Sequence, residues 1–401
     1  MTAVHPIAHA WISTGGTGAQ NYDEFADDAE ITQILRQSPH SALGVEMPHR
    51  APDSLGASFT HSLPDAVHRL EQAKAQGAYR AATDIVGAYR ISSAATGESA
   101  YGAFVMVDTD QISTSADEPG LVIRNEDVFV DKVRERVALI EATGHLLSAV
   151  LLLQTEREAD LLALLVQVCR SAGDPDVRDV DQAGRVHEVW ATKDPATVAQ
   201  ICSSAGAGEL VVADGNHRSL AAQTAGVPRF LAVVTTAASV GLQPYHRLLS
   251  SWPGELPPPP EALGALGARV EPVAGPVPVP AEPGVIHLHT AEGGYAVQLP
   301  VPAGATGVDR LDHAVLEQVL VHELLGWDPG DPRIRYIGGD YPAAWLREQV
   351  NTGAAALALL IAPVRVDDFV EVNLDRERMP RKSTWFTPKA RAGLVLADLR
   401  P

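Results

Sequence analysis

The residues best placed to do chemistry lie in the run Asp214-Gly215-Asn216-His217-Arg218, inside "ELVVADGNHRSLAAQ". The pattern predicts a strand ending at Ala213, a turn at Asp214 and Gly215, and a helix beginning near Asn216. A helix start presents unbonded N–H groups and partial positive charge, so it attracts anions. A cation in the first turn opposes the helix dipole, which favours acids there. An anionic ligand would account for Arg218. On that reading Gly215 lets a phosphate approach the backbone, and Asp214 holds Mg2+ or accepts a proton. A helix cap with a surface arginine is the plainer alternative, and these residues leave both open.

Two more segments carry comparable residues. In "VIRNEDVFVDKVRER", Asn125, Glu126 and Asp127 precede a helix. Acids there are ordinary caps; the chemical reading makes Glu126 a general base or a metal ligand, with Arg136 as its charge partner. In "RMPRKSTWFTPK", Arg381, Lys382 and Lys389 surround the hydroxyls of Ser383 and Thr384. Such a basic, hydroxyl-rich loop suits a phosphate or a carboxylate, or it is merely solvated. His246 and Arg247, in "LQPYHRLLS", stand at a strand end and are candidate substrate or phosphate ligands.

The elements that must position these residues alternate helix and strand, which argues an α/β chain with some α+β mixing. "SAVLLLQT", "ELVVA" and "RFLAVVTTA" read as buried strands, "EADLLALLVQVCRSAG" and "NHRSLAAQTAG" as helices. "DKVRERVALIEATG" places Val133, Val137 and Ile140 on one helical face and stops at Gly144. "GVIHLHTAEGGYAVQLP" reads as a hairpin and "RLDHAVLEQVLVHELLG" as one long helix. The stretch from Trp252 to Gly284, with its run Pro257–Pro260, reads as an extended connector without a core. These breaks predict an N-terminal α/β lobe at 1–115, a core at 116–251, a connector at 252–284 and an α/β lobe at 285–401 that contributes the Lys-Ser-Thr loop.

Composition excludes several classes. The 401 residues are 46% hydrophobic and 20% charged, as in a globular chain. Two cysteines cannot make a disulfide framework, and Cys169 and Cys202 are too far apart for a CxxC pair. A net charge of −19 disfavours nucleic-acid binding. No apolar run approaches a membrane span and the N-terminus has no secretory pattern, so a cytoplasmic protein with no membrane partner is expected. HExxH, Walker, GxGxxG and GxSxG signatures are absent.

Asn125-Glu126 with Arg136, Asp214-Gly215-Asn216-His217-Arg218, Pro244-Tyr245-His246-Arg247 and Met379-Pro380-Arg381-Lys382-Ser383-Thr384-Trp385-Phe386-Thr387-Pro388-Lys389, in this order, resemble the family known as domain of unknown function 1015. More distantly, the Glu126–Arg136–Asp214-Gly-Asn-His-Arg set is similar to the core of ParB/sulfiredoxin-like proteins and to free L-serine kinases. That resemblance implies a ParB/sulfiredoxin-like core with added N- and C-terminal lobes. It implies a kinase that moves a phosphoryl group from ATP or ADP, with Mg2+, to free serine or a related hydroxy amino acid. Glu126 and Asp214 would be catalytic, either of them touching Mg2+. Gly215, Asn216, His217, Arg218 and Arg136 would hold nucleotide phosphates. His246, Arg247, Lys382, Ser383 and Thr384 would meet substrate or phosphate. The alternative is a nucleotide-binding switch or ParB-like regulator without transfer to a small molecule. The chain departs from the family pattern in carrying asparagine, at 125 and 216, where the family has histidine. Asparagine cannot shuttle a proton.

Overall fold

The computed structural model describes residues 3–25, 27–113 and 120–400. The chain is mixed α/β and forms two units, Met1–Gly241 with Pro388–Pro401, and Leu242–Thr387.

In the first unit the apolar runs become neighbouring strands of one mixed sheet. Its order is Val122–Ile123, Leu210–Asp214, Val150–Gln154, Arg229–Thr235, Ser99–Asp108, Tyr79–Ser92, Ile7–Ser13, Val395–Asp398 and His145–Leu146. Leu210–Asp214 runs parallel to Val122–Ile123 and antiparallel to Val150–Gln154. All five residues of Val150–Gln154 are buried, as an unbroken apolar run requires. The pairing slips between Val212 and Asp214, so the strand is irregular where it delivers Asp214. Such irregularities re-aim a side chain at a sheet end.

Helix Val130–Thr143 ends at Gly144, whose φ of 66° gives the left-handed stop expected of it. Its buried stripe differs from the expected face. Val133, Arg136, Leu139 and Thr143 are buried, while Val137 and Ile140 are only partly so. An arginine therefore lies on the inward side of this helix. Helix Asn216–Thr224 begins at Gly215, as the turn signal predicted.

The second unit is built on an antiparallel sheet in the order Arg269–Val273, Gly293–Gln298, Ile286–Thr290, Leu357–Leu360, Tyr245–Leu249, Ile334–Gly338. The expected hairpin is present as Ile286–Thr290 and Gly293–Gln298. The expected long helix is not continuous α-helix. Asp312–Leu316 is α-helical, and Glu317–Leu324 continues in the wider π form.

The expected domain limits need correction. The boundary between 115 and 116 lies outside the described residues, but strands on both sides of it, Ser99–Asp108 and Arg229–Thr235, pair in one sheet. Residues 1–115 and the core thus form a single unit. The C-terminal strand Val395–Asp398 pairs with Ile7–Ser13 and belongs there too. The proline-rich stretch is structured: it holds helix Pro259–Ala265 and strand Arg269–Val273, and Leu263 and Val277 are buried. Proline is tolerated at a helix start and on an edge strand, which is where Pro259 and Pro272 fall.

Candidate functional site

Two of the three sequence-predicted segments meet in the first unit. The Asn216 side-chain amide donates to the Asn125 carbonyl oxygen. The Phe129 N–H donates to Nε2 of His217 at 3.0 Å, and the two rings stack with centroids 6.0 Å apart. The asparagines standing in place of two family histidines are therefore partners of each other. Asn125 and Asn216 are both buried, and Asn216 Oδ1 has no hydrogen-bond partner among the described residues. Glu126 follows Asn125 and is half-buried. No side chain caps helix Asn216–Thr224, whose N-cap Gly215 has φ 104°.

Arg218 and Asp214 correct the sequence reading. Arg218 is 8% exposed; its guanidinium donates to Asp214 Oδ2 and to the Ala149 carbonyl, and reaches Asn21 Oδ1 at 3.4 Å. The anion that a first-turn arginine calls for is the carboxylate of Asp214, four residues earlier. A Cβ on Gly215 would lie 3.0 Å from Arg218 Nε, so this glycine makes room for the guanidinium. The other oxygen of Asp214 accepts from Lys389 Nζ at 2.9 Å. Burial pushes the Asp214 carboxyl up, but Lys389 and Arg218 outweigh it and hold it below its ordinary value. Bracketed by two cations, Asp214 is a weak base. It is also a poor magnesium ligand, since both oxygens are engaged. Among the described residues no group of three or more His, Cys, Asp or Glu is arranged to hold a metal.

Around this pair lies a buried charge cluster that sequence reasoning missed. Glu24 accepts from the Asn21 backbone N–H at 3.1 Å and its side-chain amide at 2.8 Å, and lies 4.0 Å from Lys389. Glu46 accepts from the Ser148 hydroxyl. Burial pushes each carboxyl up to about 7, opposed by Lys389 at Glu24 and by Arg136 and Arg218 at Glu46. Glu24, Glu46 and Ser148 stand far from the motifs, and only long-range pairing brings them in. Lys389 carried a signal, being the last residue of the basic segment.

Arg136 is 4% exposed and makes no ion pair among the described residues, with Glu126 or any other acid. It lies over the Tyr22 ring at 4.1 Å and the Phe59 ring at 4.9 Å. Its Nη2 meets only Met47 Sδ, at 3.8 Å, and its Nε and Nη1 have no hydrogen-bond partner. A cavity lined by Glu46, Arg136, Ser148 and Arg218 adjoins it.

The remaining predicted residues belong to the second unit. Arg247 is 5% exposed. Its guanidinium donates to the carbonyls of Tyr245, His246, Lys382 and Arg381, at 2.9–3.2 Å. Rather than facing a ligand, it pins the Arg381–Lys382 backbone. His246 is buried, and its Nδ1 accepts from the Ile361 N–H at 3.2 Å. Burial, then Arg247, pushes it down to about 4, so it stays neutral. Lys382 adopts a φ of 53°, a left-handed conformation unusual for a lysine. Ser383 is fully buried with its hydroxyl unpartnered, while Lys382 and Thr384 are half-buried. Trp385 and Phe386 pack edge-on against Tyr245 and Phe369 and anchor the loop.

No curated protein matches the sequence. Among solved structures, the chain is similar to a free serine kinase in complex with AMP: 12% identity, 71% of this chain and 87% of that one, TM-score 0.39. It is similar to SbnI with a C-terminal truncation from Staphylococcus aureus, at 12% identity, 72% and 84% coverage and TM-score 0.40. A conserved hypothetical protein from Pyrococcus furiosus gives 12%, 71%, 90% and 0.37. The family model described as "Protein of unknown function (DUF1015)" matches residues 17–314, which span the motif junction, the acids of the buried charge cluster and the Tyr245–Leu249 strand, but not Lys389. The chain belongs to that family.

Proposed function

We propose that the protein is a nucleotide-dependent small-molecule kinase, moving a phosphoryl group from ATP or ADP to the hydroxyl of free serine or a related hydroxy amino acid. The observation that carries this reading is the junction of the Asn125-Glu126 segment with the uncapped start of helix Asn216–Thr224. Phosphoryl transfer needs positioned donors and cations more than covalent chemistry. The helix start offers N–H groups toward phosphate oxygens, and Glu126 is the base for the acceptor hydroxyl. Asp214 is assigned a different task from the one its motif suggests: it fixes Arg218 and Lys389, so that the end of the strand and the C-terminal segment hold one shape. Magnesium does not fit on Asp214, whose two oxygens are held by Arg218 and Lys389. In the second unit, Lys382, Ser383 and Thr384 remain proposed substrate or phosphate ligands, positioned by Arg247.

One observation favours a second reading, nucleotide binding without transfer. The amides of Asn125 and Asn216 cannot move a proton, and Nε2 of His217 is occupied by the Phe129 N–H. The two readings separate by turnover. Purified protein with Mg2+, ATP or ADP and a panel of hydroxylated amino acids, followed by mass spectrometry, should yield a phosphorylated acceptor. Glu126→Gln should cut the rate about 10²–10⁴-fold with unchanged melting. Nucleotide binding without any phosphorylated product would favour the switch.

A further inference from the structure

A buried guanidinium without a hydrogen-bonded acceptor is costly, because its desolvation is not returned by pairing. Arg136 is in that state at Nε and Nη1. Two aromatic rings and a thioether stabilise its charge only weakly. Arg218, the other arginine on the wall of the same cavity, is already paired with Asp214. Glu46 does not supply the missing negative charge. Burial pushes its carboxyl up to about 7; Arg136 and Arg218 oppose this, and Asp23 and Glu24 add to it. Its Oε1 accepts from the Ser148 hydroxyl, so the proton belongs on Oε2, which has no partner. His145, also on the wall, is pushed down by burial and stays neutral. The cavity thus presents two donors, one of them charged, and a hydrocarbon surface of Leu139, Leu146 and Phe230.

The cavity is about 40 Å³, where a single water needs about 10–15 Å³. That is room for a monatomic ion and too little for a phosphate. We propose that it holds one halide-class anion, of chloride size, accepting from a guanidinium N–H of Arg136 and from Oε2 of Glu46. The two unpartnered nitrogens lie on different edges of the guanidinium, and a spherical ion needs only one of them. A water accepts from the same donors but leaves the cation uncompensated where the dielectric is low. Protonation of Glu46 and halide binding support each other: the ionised carboxylate repels the ion, so affinity falls as pH rises through about 7. Arg136, expected from the sequence to hold nucleotide phosphate, is thereby assigned to an ion that takes no part in phosphoryl transfer. The site stands apart from the kinase reading.

The test is chloride-35 line broadening by the full chain, titrated with sodium chloride in gluconate buffer. At pH 6 the unmodified chain should broaden the line. Bromide should reverse the broadening; sulfate, branched and doubly charged, should not. Arg136→Met, shown to be folded by circular dichroism, should lower chloride affinity at least tenfold. From pH 6 to pH 8 the affinity of the unmodified chain should fall about tenfold. Glu46→Gln, whose amide donates at either pH and whose oxygen still accepts from Ser148, should hold its affinity within about twofold over that range. Bromide diffraction from crystals of the unmodified chain locates the ion even if Arg136→Met does not fold, and a peak bounded by Arg136 and Glu46 supports the proposal. A chain that broadens no line at pH 6 overturns it and leaves water as the occupant. Broadening that survives Arg136→Met, or a bromide peak only elsewhere, overturns it as well. An affinity that does not change with pH removes Glu46 from the site and overturns the proposal as stated.

Discussion

Arg136 in the first unit and Arg247 in the second are both motif arginines, both about 95% buried, and both lie against tyrosine rings. They differ in what meets their N–H groups. Arg247 is met by four backbone carbonyls, so it fastens a loop to a strand. Arg136 is met by a thioether, and two of its nitrogens have nothing. Sequence type and burial are the same; the hydrogen-bond inventory separates an arginine that fastens a loop from one whose Nε and Nη1 meet no acceptor among the described residues. Arg218 belongs with Arg247, since Asp214 and the Ala149 carbonyl satisfy it.

The largest expected effect comes from breaking the satisfied member. Arg247→Met removes the donor that meets the carbonyls of His246, Arg381 and Lys382, while that of Tyr245 keeps its contact with His313 Nε2; each buried acceptor costs about 1–3 kcal/mol when orphaned. Chemical denaturation should show a loss of roughly 3–5 kcal/mol. A loss under about 1 kcal/mol would mean that these carbonyls find other donors and that Arg247 is not what holds the loop.

The charge cluster of the first unit sets a pH dependence of known sign. Glu24 and Glu46 ionise near 7 when folded and near 4.5 otherwise. The folded state therefore binds more protons between these values. The stability they contribute is complete below about 4.5 and is lost as pH rises through 7, on the order of 2–3 kcal/mol for each. Asp214 acts oppositely: its depressed carboxyl contributes stability that is lost as pH falls through its folded value. Urea denaturation should find the chain more stable at pH 5.5 than at pH 8, with Glu24→Gln and Glu46→Gln flattening that slope. Equal stability at the two pH values would show that the two carboxyls are not held neutral.

A smaller effect sharpens the comparison at the junction. Asn125 and Asn216 hydrogen-bond to each other in the interior. A double-mutant cycle with alanine at both positions should give a coupling of about 1 kcal/mol. A coupling near zero would remove the joint between the two motif segments.

Much of this was legible in the sequence. The strand–turn–helix around Gly215 follows from an apolar run, Asp-Gly and an amphipathic stretch, and the Gly144 stop follows from its position after helix Val130–Thr143. Arg136 could have been placed on the buried stripe, since it lies three residues after Val133 and three before Leu139; reading it as the charge partner of Glu126 hid this. The partner of Arg218 was also in reach, four residues upstream. The proline-rich stretch misled because proline signals describe what cannot be a helix interior or a central strand. They do not exclude a helix that starts at Pro259 or an edge strand with Pro272. What local pattern could not give is the return of Val395–Asp398 to the first unit, or the convergence of Glu24, Glu46, Ser148 and Lys389. Those depend on pairings across hundreds of residues.

The most direct test of the central claim is the melting temperature of Arg136→Met beside that of Arg247→Met, both without ligand. An unsatisfied buried cation costs the fold more than it contributes. Arg136→Met should therefore melt within about 2 °C of the unmodified chain or above it, while Arg247→Met, at roughly 2–4 °C per kcal/mol, should melt many degrees lower. If Arg136→Met falls as far as Arg247→Met, Arg136 is a structural arginine like the other, and the difference drawn from their hydrogen bonds does not hold.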